Sequence, residues 1–179
     1  LSNLQRQVLF DEQDVRENMP KAAAAERKLK LINADIRIEG IVTDINPANV
    51  EDLIKGADVV VDGADNFETR FVINDACVKH NIPWVYGAAV GTTGMSMTII
   101  PGQTPCIRCL FETAPPPGMT PTCDTAGVLG MQTGLIGNFE AAEALKILCG
   151  KKESINTKLF SIDMWSGEIH QFKIARARE

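Results

Sequence analysis

The stretch "ADVVVDGADN" (residues 57–66) decides the fold. Its three consecutive valines, Val59, Val60 and Val61, form a continuous apolar run between polar residues. That pattern predicts a strand buried on both faces, as in a parallel sheet. A helix is predicted over about 67–80, because Asn81 and Pro83 stop it, and further strands are predicted at 84–90 and 95–100. The polar residues after the valines therefore fall at the carboxyl end of a strand.

The rest of the chain also alternates between strand and helix patterns. A helix is predicted over 18–33, with Asn18 as its cap and Pro20 in its first turn. The other predicted elements are a strand at 36–42, a short helix at 47–56, a helix from about 126 to 150, and strands at 158–163 and 168–175. This order predicts a single α/β domain over 1–179, with a doubly wound, mostly parallel sheet and antiparallel C-terminal strands. Ligands of such sheets bind beyond the carboxyl ends of the strands.

Composition narrows the class of protein. The chain has 179 residues, 45% of them hydrophobic, which suits a globular domain with a real core. A net charge of −5 and scattered basic residues argue against a nucleic-acid surface, and no apolar run reaches membrane-spanning length. Five cysteines, an odd number, do not form an obvious disulfide framework, so a cytoplasmic protein is expected.

Two positions near predicted helix starts have both a binding and a structural interpretation. Asp65 and Asn66 could hold Mg²⁺ or orient a phosphate. Asp65 with Glu68 also resembles a capping box for the next helix. Lys21, in the first turn of its helix, could bind a phosphate or be an ordinary surface lysine.

Residues 101–125 break the regular pattern and hold six of the nine prolines and three of the five cysteines. Cys106 and Cys109, in "TPCIRCL" (104–110), have the Cys-x-x-Cys spacing of a half zinc site or a redox pair. Because they follow a strand in a proline-rich loop, zinc is favoured. Cys123 precedes a predicted helix, which would lower the pKa of its thiol, while Asp124 would act in the opposite direction.

Glycines recur every three or four residues in the long helix predicted near the end of the chain, at Gly127, Gly130, Gly134 and Gly137. They would make one smooth helix face, and each costs helix stability unless another element packs closely there. A contact between two copies of the chain is one candidate for that element.

The ordered motifs "SNLQRQ", "PKAAAA", "DGADNFETR", "IPWVYGAAVG", "TPCIRC" and "CDTAGVLG" resemble the ThiF/MoeB/HesA family over essentially the whole chain. These proteins are bacterial relatives of the ubiquitin-activating enzymes. The resemblance implies ATP- and Mg²⁺-dependent adenylylation of the C-terminal glycine of a ubiquitin-like sulfur carrier, for thiamine or molybdopterin synthesis. It also implies a homodimer, a structural zinc ion, and a sulfurtransferase or cysteine desulfurase as a partner.

Residue roles follow from the same resemblance. The nucleotide-binding stretch is matched by Ser2, Asn3, Leu4, Gln5 and Arg6, with Arg6 on the phosphates. Lys21 matches a phosphate-binding lysine, Asp65 the magnesium-supporting aspartate beside Asn66, and Arg70 a residue that braces their loop. The first zinc pair is matched by Cys106 and Cys109. Cys123 matches the cysteine that, in some members, bonds to the activated carrier.

The chain also departs from the family pattern. A first strand with a Gly-x-Gly-x-x-Gly turn does not precede Leu1, and a second Cys-x-x-Cys does not follow Glu179. Both ends are therefore expected to be truncated, which would expose strand edges and leave the isolated chain unstable or inactive. The alternatives are a non-catalytic carrier-binding protein, a nicotinamide-dependent oxidoreductase, and a related dehydratase acting on a modified tRNA base.

Overall fold

The computed structural model describes residues 2–111, 113 and 123–176, with only the backbone at 123 and 124. The chain forms two compact units, Leu1–Asp44 and Ile45–Glu179, each of which is described by itself. The expectation of one domain over 1–179 stays a prediction.

The first unit is helical. Its elements are a short 3-10 helix, Ser2–Gln5, followed by α1, Glu12–Arg16, and α2, Lys21–Ile32. Asp11 and Asp14 form a capping box at the start of α1. Lys28 of α2 binds the carboxylates of both Asp11 and Asp14, so one ammonium group ties the two helices together. Its hydrogen bond is the largest effect that lowers the pKa of each carboxyl group.

Two predictions in this unit are wrong. The cap of α2 is Pro20, not Asn18, whose φ of 49° places it in a left-handed turn before the helix. Residues 36–42 form no strand within the described parts of the chain. The backbone N–H of Gly40 donates to the Glu26 carboxylate of α2 at 2.8 Å, so a side chain takes the place of a neighbouring strand.

The second unit is built on a five-stranded mixed sheet, which makes it an α/β fold. The strands lie in chain order: β1, Val60–Val61; β2, Trp84–Val90; β3, Thr93–Ile99; β4, Leu159–Asp163; and β5, Ile169–Phe172. The antiparallel C-terminal strands are confirmed. Of the described pairings, β1 with β2 is parallel and the other three are antiparallel, so this sheet is not mostly parallel.

The valine strand differs from its prediction. β1 contains only Val60 and Val61, and Val61 is 47% exposed, so the strand is not buried on both faces. Among the described strands it pairs only with β2, which makes it an edge of this sheet. It pairs with Trp84 and Val85, the first two residues of β2.

Tight turns explain the antiparallel part of the sheet. Val90 of β2 pairs with Thr93 of β3, which leaves a two-residue turn, and Gly91 in it has φ of 60°. A two-residue turn permits only antiparallel strands, and positive φ there favours glycine. Asp163 accepts hydrogen bonds from the hydroxyl groups of Thr92 and Thr93, so the turn between β4 and β5 is held against this hairpin.

The helices of the second unit are α3, Val50–Ile54; α4, Phe67–Lys79; α5, Ile107–Leu110; α6, Cys123–Ala126; and α7, Gly130–Leu148. The helix predicted from about 126 therefore begins later, because Gly127 (φ 70°) ends α6 and residues 127–129 run beside the hairpin at Gly91. The core is formed by α3, α4 and the sheet around Trp84, Tyr86, Met97 and Ile99. In the part of the chain that is described, no helix is both long and apolar enough to cross a bilayer.

Close packing of α7 on the sheet depends on glycines in the strands rather than in the helix. A Cβ atom on Gly94 of β3 would lie 2.1 Å from Gln132 and 2.5 Å from Ile136 of α7. A Cβ atom on Gly134 or Gly137 would meet nothing within 4 Å. The predicted close contact over the helix glycines is therefore absent within the described residues of this chain.

We expect Gly94→Ala to destabilise the fold by about 1–3 kcal/mol, because its methyl group would overpack the contact with α7. The free energy of unfolding from chemical denaturation, at a protein concentration where the chain is monomeric, measures this.

Gly134→Ala is the matched control, since it adds the same methyl group where there is open space. It should raise stability by roughly 0.5–1 kcal/mol, as alanine is the better helix former. Equal effects of the two substitutions would contradict this account of the packing.

Candidate active site

The loop between β1 and α4 presents an exposed carboxylate. Asp65 is exposed, and its Oδ1 accepts a hydrogen bond from Asn66 Nδ2 at 3.0 Å. The cap of α4 is Asn66, whose Oδ1 accepts from the Thr69 N–H at 2.8 Å. The capping box predicted for Asp65 and Glu68 is therefore wrong. Because Asn66 takes over the capping, Asp65 is left to face solvent.

Arg70 braces this loop from the first turns of α4. Its Nε donates to Asp62 Oδ2 at 2.7 Å, and its Nη2 donates to the carbonyl oxygens of Ala64 and, at 3.0 Å, Gly87. The guanidinium thereby joins the end of β1, the loop and β2. Asp62 Oδ1 also accepts from the Ala64 N–H at 2.8 Å. The role of a brace expected for Arg70 agrees with these contacts.

The brace is buried. Asp62 has no exposed side-chain surface and Arg70 only 9%. Burial raises the pKa of Asp62, and the Arg70 guanidinium opposes that rise. The guanidinium carbon also lies 5.5 Å from the centre of the Tyr86 ring, and burial raises the pKa of Tyr86 to about 12. The Arg70 guanidinium donates to three acceptors in a buried environment, and a buried network of this kind restricts the motion of its members.

Three buried polar residues at this site were missed in the sequence: Asp62, Tyr86 and Glu140. Glu140 lies on α7 between Ile136 and Ala144, and this i, i+4, i+8 row of buried side chains is a signal that the sequence does carry. Burial raises the pKa of Glu140 to about 8. Nothing in the local pattern says which groups face it.

The remaining candidate nucleotide-binding residues lie in the first unit. Ser2–Gln5 is a 3-10 helix, and the N–H groups of Arg6 and Gln7 both donate to the Asn3 carbonyl. Lys21 is exposed and is the first residue of α2, whose start has no side-chain cap and no acidic residue in its first turn. Uncapped N–H groups beside a lysine can bind a phosphate.

The Cys-x-x-Cys turn is docked on α4. Cys106 Sγ and Cys109 Sγ are 3.8 Å apart and both residues are half-buried. The N–H of Ile107 donates to Asn74 at 3.0 Å, and Arg108 binds Asp75 through two hydrogen bonds. Among the residues that the structure describes, no third histidine, cysteine or carboxylate joins the pair as a metal ligand.

The structure brings together part of the candidate set. Asp65, Asn66 and Arg70 share one loop, and Cys106 and Cys109 face each other. Cys123 is the first residue of α6, and its side chain lies outside the described part of the chain.

A family model described as "ThiF family" matches residues 1–179 of this sequence. The chain belongs to the ThiF family. Over 174 residues it is 47% identical to a sulfur carrier protein ThiS adenylyltransferase of Bacillus subtilis, covering 97% of this chain and 51% of that protein. A SAMP-activating enzyme E1 of Haloferax volcanii is 41% identical over 90% of this chain and 59% of that protein.

The crystal structure of Escherichia coli MccB with ATP has the same fold. It aligns with a TM-score of 0.77 and 26% identity, over 98% of this chain and 53% of MccB. This ThiF-family chain thus spans roughly half of the length of the relatives that it matches. Membership of the family leaves the oxidoreductase alternative without support.

We expect Arg70→Met to destabilise the ThiF-type fold by about 3–5 kcal/mol, because it leaves the Asp62 carboxylate buried without its ion partner. Thermal or chemical unfolding at neutral pH measures this loss.

Arg108→Met provides the control on a neighbouring arginine. Arg108 also pairs with an aspartate, Asp75, but about half of each side chain is exposed. An exposed pair is worth about 1 kcal/mol or less. A loss of stability as large for Arg108→Met as for Arg70→Met would contradict the role assigned to the buried brace.

Proposed function

We propose that this chain is the catalytic part of an enzyme that uses ATP to adenylylate the C-terminal glycine of a ubiquitin-like sulfur carrier. The observation that carries the proposal is the exposed Asp65, held on a rigid loop at the end of β1 by Arg70. The names of its relatives, which are adenylyltransferases or activating enzymes of such carriers, support the same reaction.

The reaction joins two anions. The carrier's carboxylate attacks the α-phosphorus of ATP, an acyl-adenylate bond forms, and pyrophosphate leaves. Positive charge must therefore lower the repulsion between carboxylate and triphosphate. We assign Mg²⁺ to Asp65, whose exposed carboxylate, held by the hydrogen bond from the Asn66 amide, is a suitable oxygen donor.

We assign the triphosphate and nucleotide to the first unit. Lys21, at the uncapped start of α2, would bind a phosphate together with the helix N–H groups. Arg6 would bind a second phosphate, and the turn formed by Ser2, Asn3, Leu4 and Gln5 would contact the nucleotide.

We propose a structural zinc ion at Cys106 and Cys109. Two thiolates on one tetrahedral zinc, each at about 2.3 Å, lie about 3.8 Å from each other. The observed Sγ–Sγ distance of 3.8 Å fits that geometry and is far too long for a disulfide. Zinc would fix the turn on α4, and the remaining ligands would come from outside the described residues.

The later steps set the partners. Conversion of the acyl-adenylate to a thiocarboxylate requires a sulfur donor, so a sulfurtransferase or a cysteine desulfurase would act with the enzyme. We assign Cys123 as the thiol that bonds to the activated carrier. We further propose a homodimer, for which the open surface over Gly134 and Gly137 is a candidate contact, and a cytoplasmic location, where reduced thiols persist.

We expect Asp65→Asn to lower ATP–pyrophosphate exchange by at least about 100-fold, because it removes the charge assigned to magnesium while keeping the side-chain shape. The assay uses the natural full-length protein with ThiS-like and MoaD-like carriers in separate reactions.

Asp58→Asn is the control, since Asp58 is an exposed aspartate at the opposite end of the same strand. It should exchange at the wild-type rate, and Cys123→Ser should also retain exchange because the thiol acts after adenylylation. Normal exchange by Asp65→Asn would refute the assignment of Asp65.

We expect Cys106→Ser and Cys109→Ser each to abolish stoichiometric zinc, measured by elemental analysis of the purified protein. Cys149→Ser, at an exposed cysteine in another part of the fold, is the control and should keep its metal. Full zinc content in the two variants would contradict the assignment.

A further inference from the structure

Glu140 is a buried carboxyl group pressed against the backbone of β2. Only 6% of the residue is exposed, and a Cβ atom on Gly87 would lie 2.3 Å from Glu140 Cδ. Its Oε1 is buried and has no hydrogen-bond partner among the described residues. An ionised carboxylate would keep one buried oxygen without a partner, and the charge of Arg70 and a backbone hydrogen bond from Asp62 offset its burial only in part, so the geometry favours the neutral acid.

The groups that face Glu140 come from three other elements. Asp62 follows β1, Arg70 lies on α4, and Tyr86 lies on β2. On its own helix, Glu143 is already bound to Lys146 and to the Thr98 hydroxyl group. One guanidinium thus interacts with two carboxyl groups, Asp62 and Glu140, and it donates hydrogen bonds to Asp62 and to the carbonyls of Ala64 and Gly87.

The charge of Glu140 therefore sets how firmly Arg70 holds the loop. Burial raises the pKa of Glu140 to about 8, the negative charge of Asp62 adds to the rise, and Arg70 opposes it. Below that pH Glu140 is neutral and Asp62 has the guanidinium to itself. Above it, Glu140 releases its proton to solvent, and a second carboxylate then competes with Asp62 for the charge of Arg70.

We propose that Glu140 is a positioning residue for the Asp65 loop: its neutral acid leaves Arg70 bound to Asp62 and the loop, and its carboxylate draws Arg70 away from them. The proposal rests on the adenylylation site proposed above for its consequence in catalysis. Its first step, the ionisation of Glu140 and the response of Arg70, stands on the contacts of the second unit alone.

The pH profile of ATP–pyrophosphate exchange by the full-length protein tests the catalytic consequence. One pH unit above a pKa of about 8, roughly a tenth of Glu140 keeps its proton, so exchange at about pH 9 should fall several-fold towards a tenth of its neutral value. Glu140→Gln, a neutral isostere, should exchange at the wild-type rate near pH 7 and lose this alkaline decline. Glu168→Gln, an exposed control, should keep the wild-type profile.

Nuclear magnetic resonance separates this proposal from the proposed function. In ¹³C-labelled protein, one glutamate carboxyl carbon should titrate near pH 8 and be missing in Glu140→Gln. The side-chain Nε–H resonance of Arg70 should shift with the same midpoint in wild type and stay constant in Glu140→Gln. These resonances can be measured in an inactive protein. A wild-type protein that shows no exchange at any pH would therefore contradict only the proposed function.

Three results would overturn the role of Glu140. The first is a Glu140 carboxyl that titrates below about pH 6, since the acid would then be ionised at neutral pH. The second is an alkaline decline, or an Arg70 shift, that persists unchanged in Glu140→Gln. The third is failure of Glu140→Gln to fold at neutral pH, because glutamine reproduces the neutral acid.

Discussion

The ion pair between Arg70 and Asp62 is the constraint on which the site depends. Asp62 follows β1, Arg70 lies in the first turn of α4, and the guanidinium also reaches the carbonyl of Gly87 on β2. A two-residue strand at the edge of the described sheet has few ladder bonds to hold it. The fork of Arg70 compensates, because a planar group with several donors fixes three backbone segments at once. The loop between β1 and α4 is therefore held in place although the Asp65 carboxylate on it is exposed.

The glycines of the sheet make this arrangement possible. Gly87 allows the Glu140 carboxyl to touch the β2 backbone, and Gly94 allows α7 to pack just as closely one strand further on. The consequence is a second buried acid that interacts with Asp62, while Arg70 forms its ion pair with Asp62. A hydrophobic residue at 140 would avoid the cost of burying an acid, so the acid must be neutral for the contact to be favourable. The close packing of α7 on β2 therefore determines which charge state of Glu140 is favourable.

Much of the second unit could be predicted from local pattern. The helix at 67–79, the strands β2 and β3 and the closing antiparallel strands each follow from apolar spacing and turn residues within a few neighbouring positions, whereas the antiparallel pairing of β2 with β3 was not predicted. The errors share a cause: a short sequence segment does not show how many other strands or helices will pack against it. Val61 is exposed on a strand at an edge of the described sheet, and 36–42 pairs with no described strand, while the Gly40 N–H bonds to Glu26. Glu140 stands out on its helix, but its partners are distant in sequence.

Different residues of the motif "DGADNFETR" have different structural roles. Asp62 anchors the loop, Asn66 caps the helix, and Arg70 closes the loop over both. Each of these side chains is committed to a structural partner, and that commitment leaves Asp65 exposed at the same place. If Asp65 were the cap, its oxygens would accept hydrogen bonds from the helix N–H groups and would not be available to bind a cation. Because Asn66 rather than Asp65 caps α4, the start of this helix presents an exposed carboxylate and is a candidate binding site.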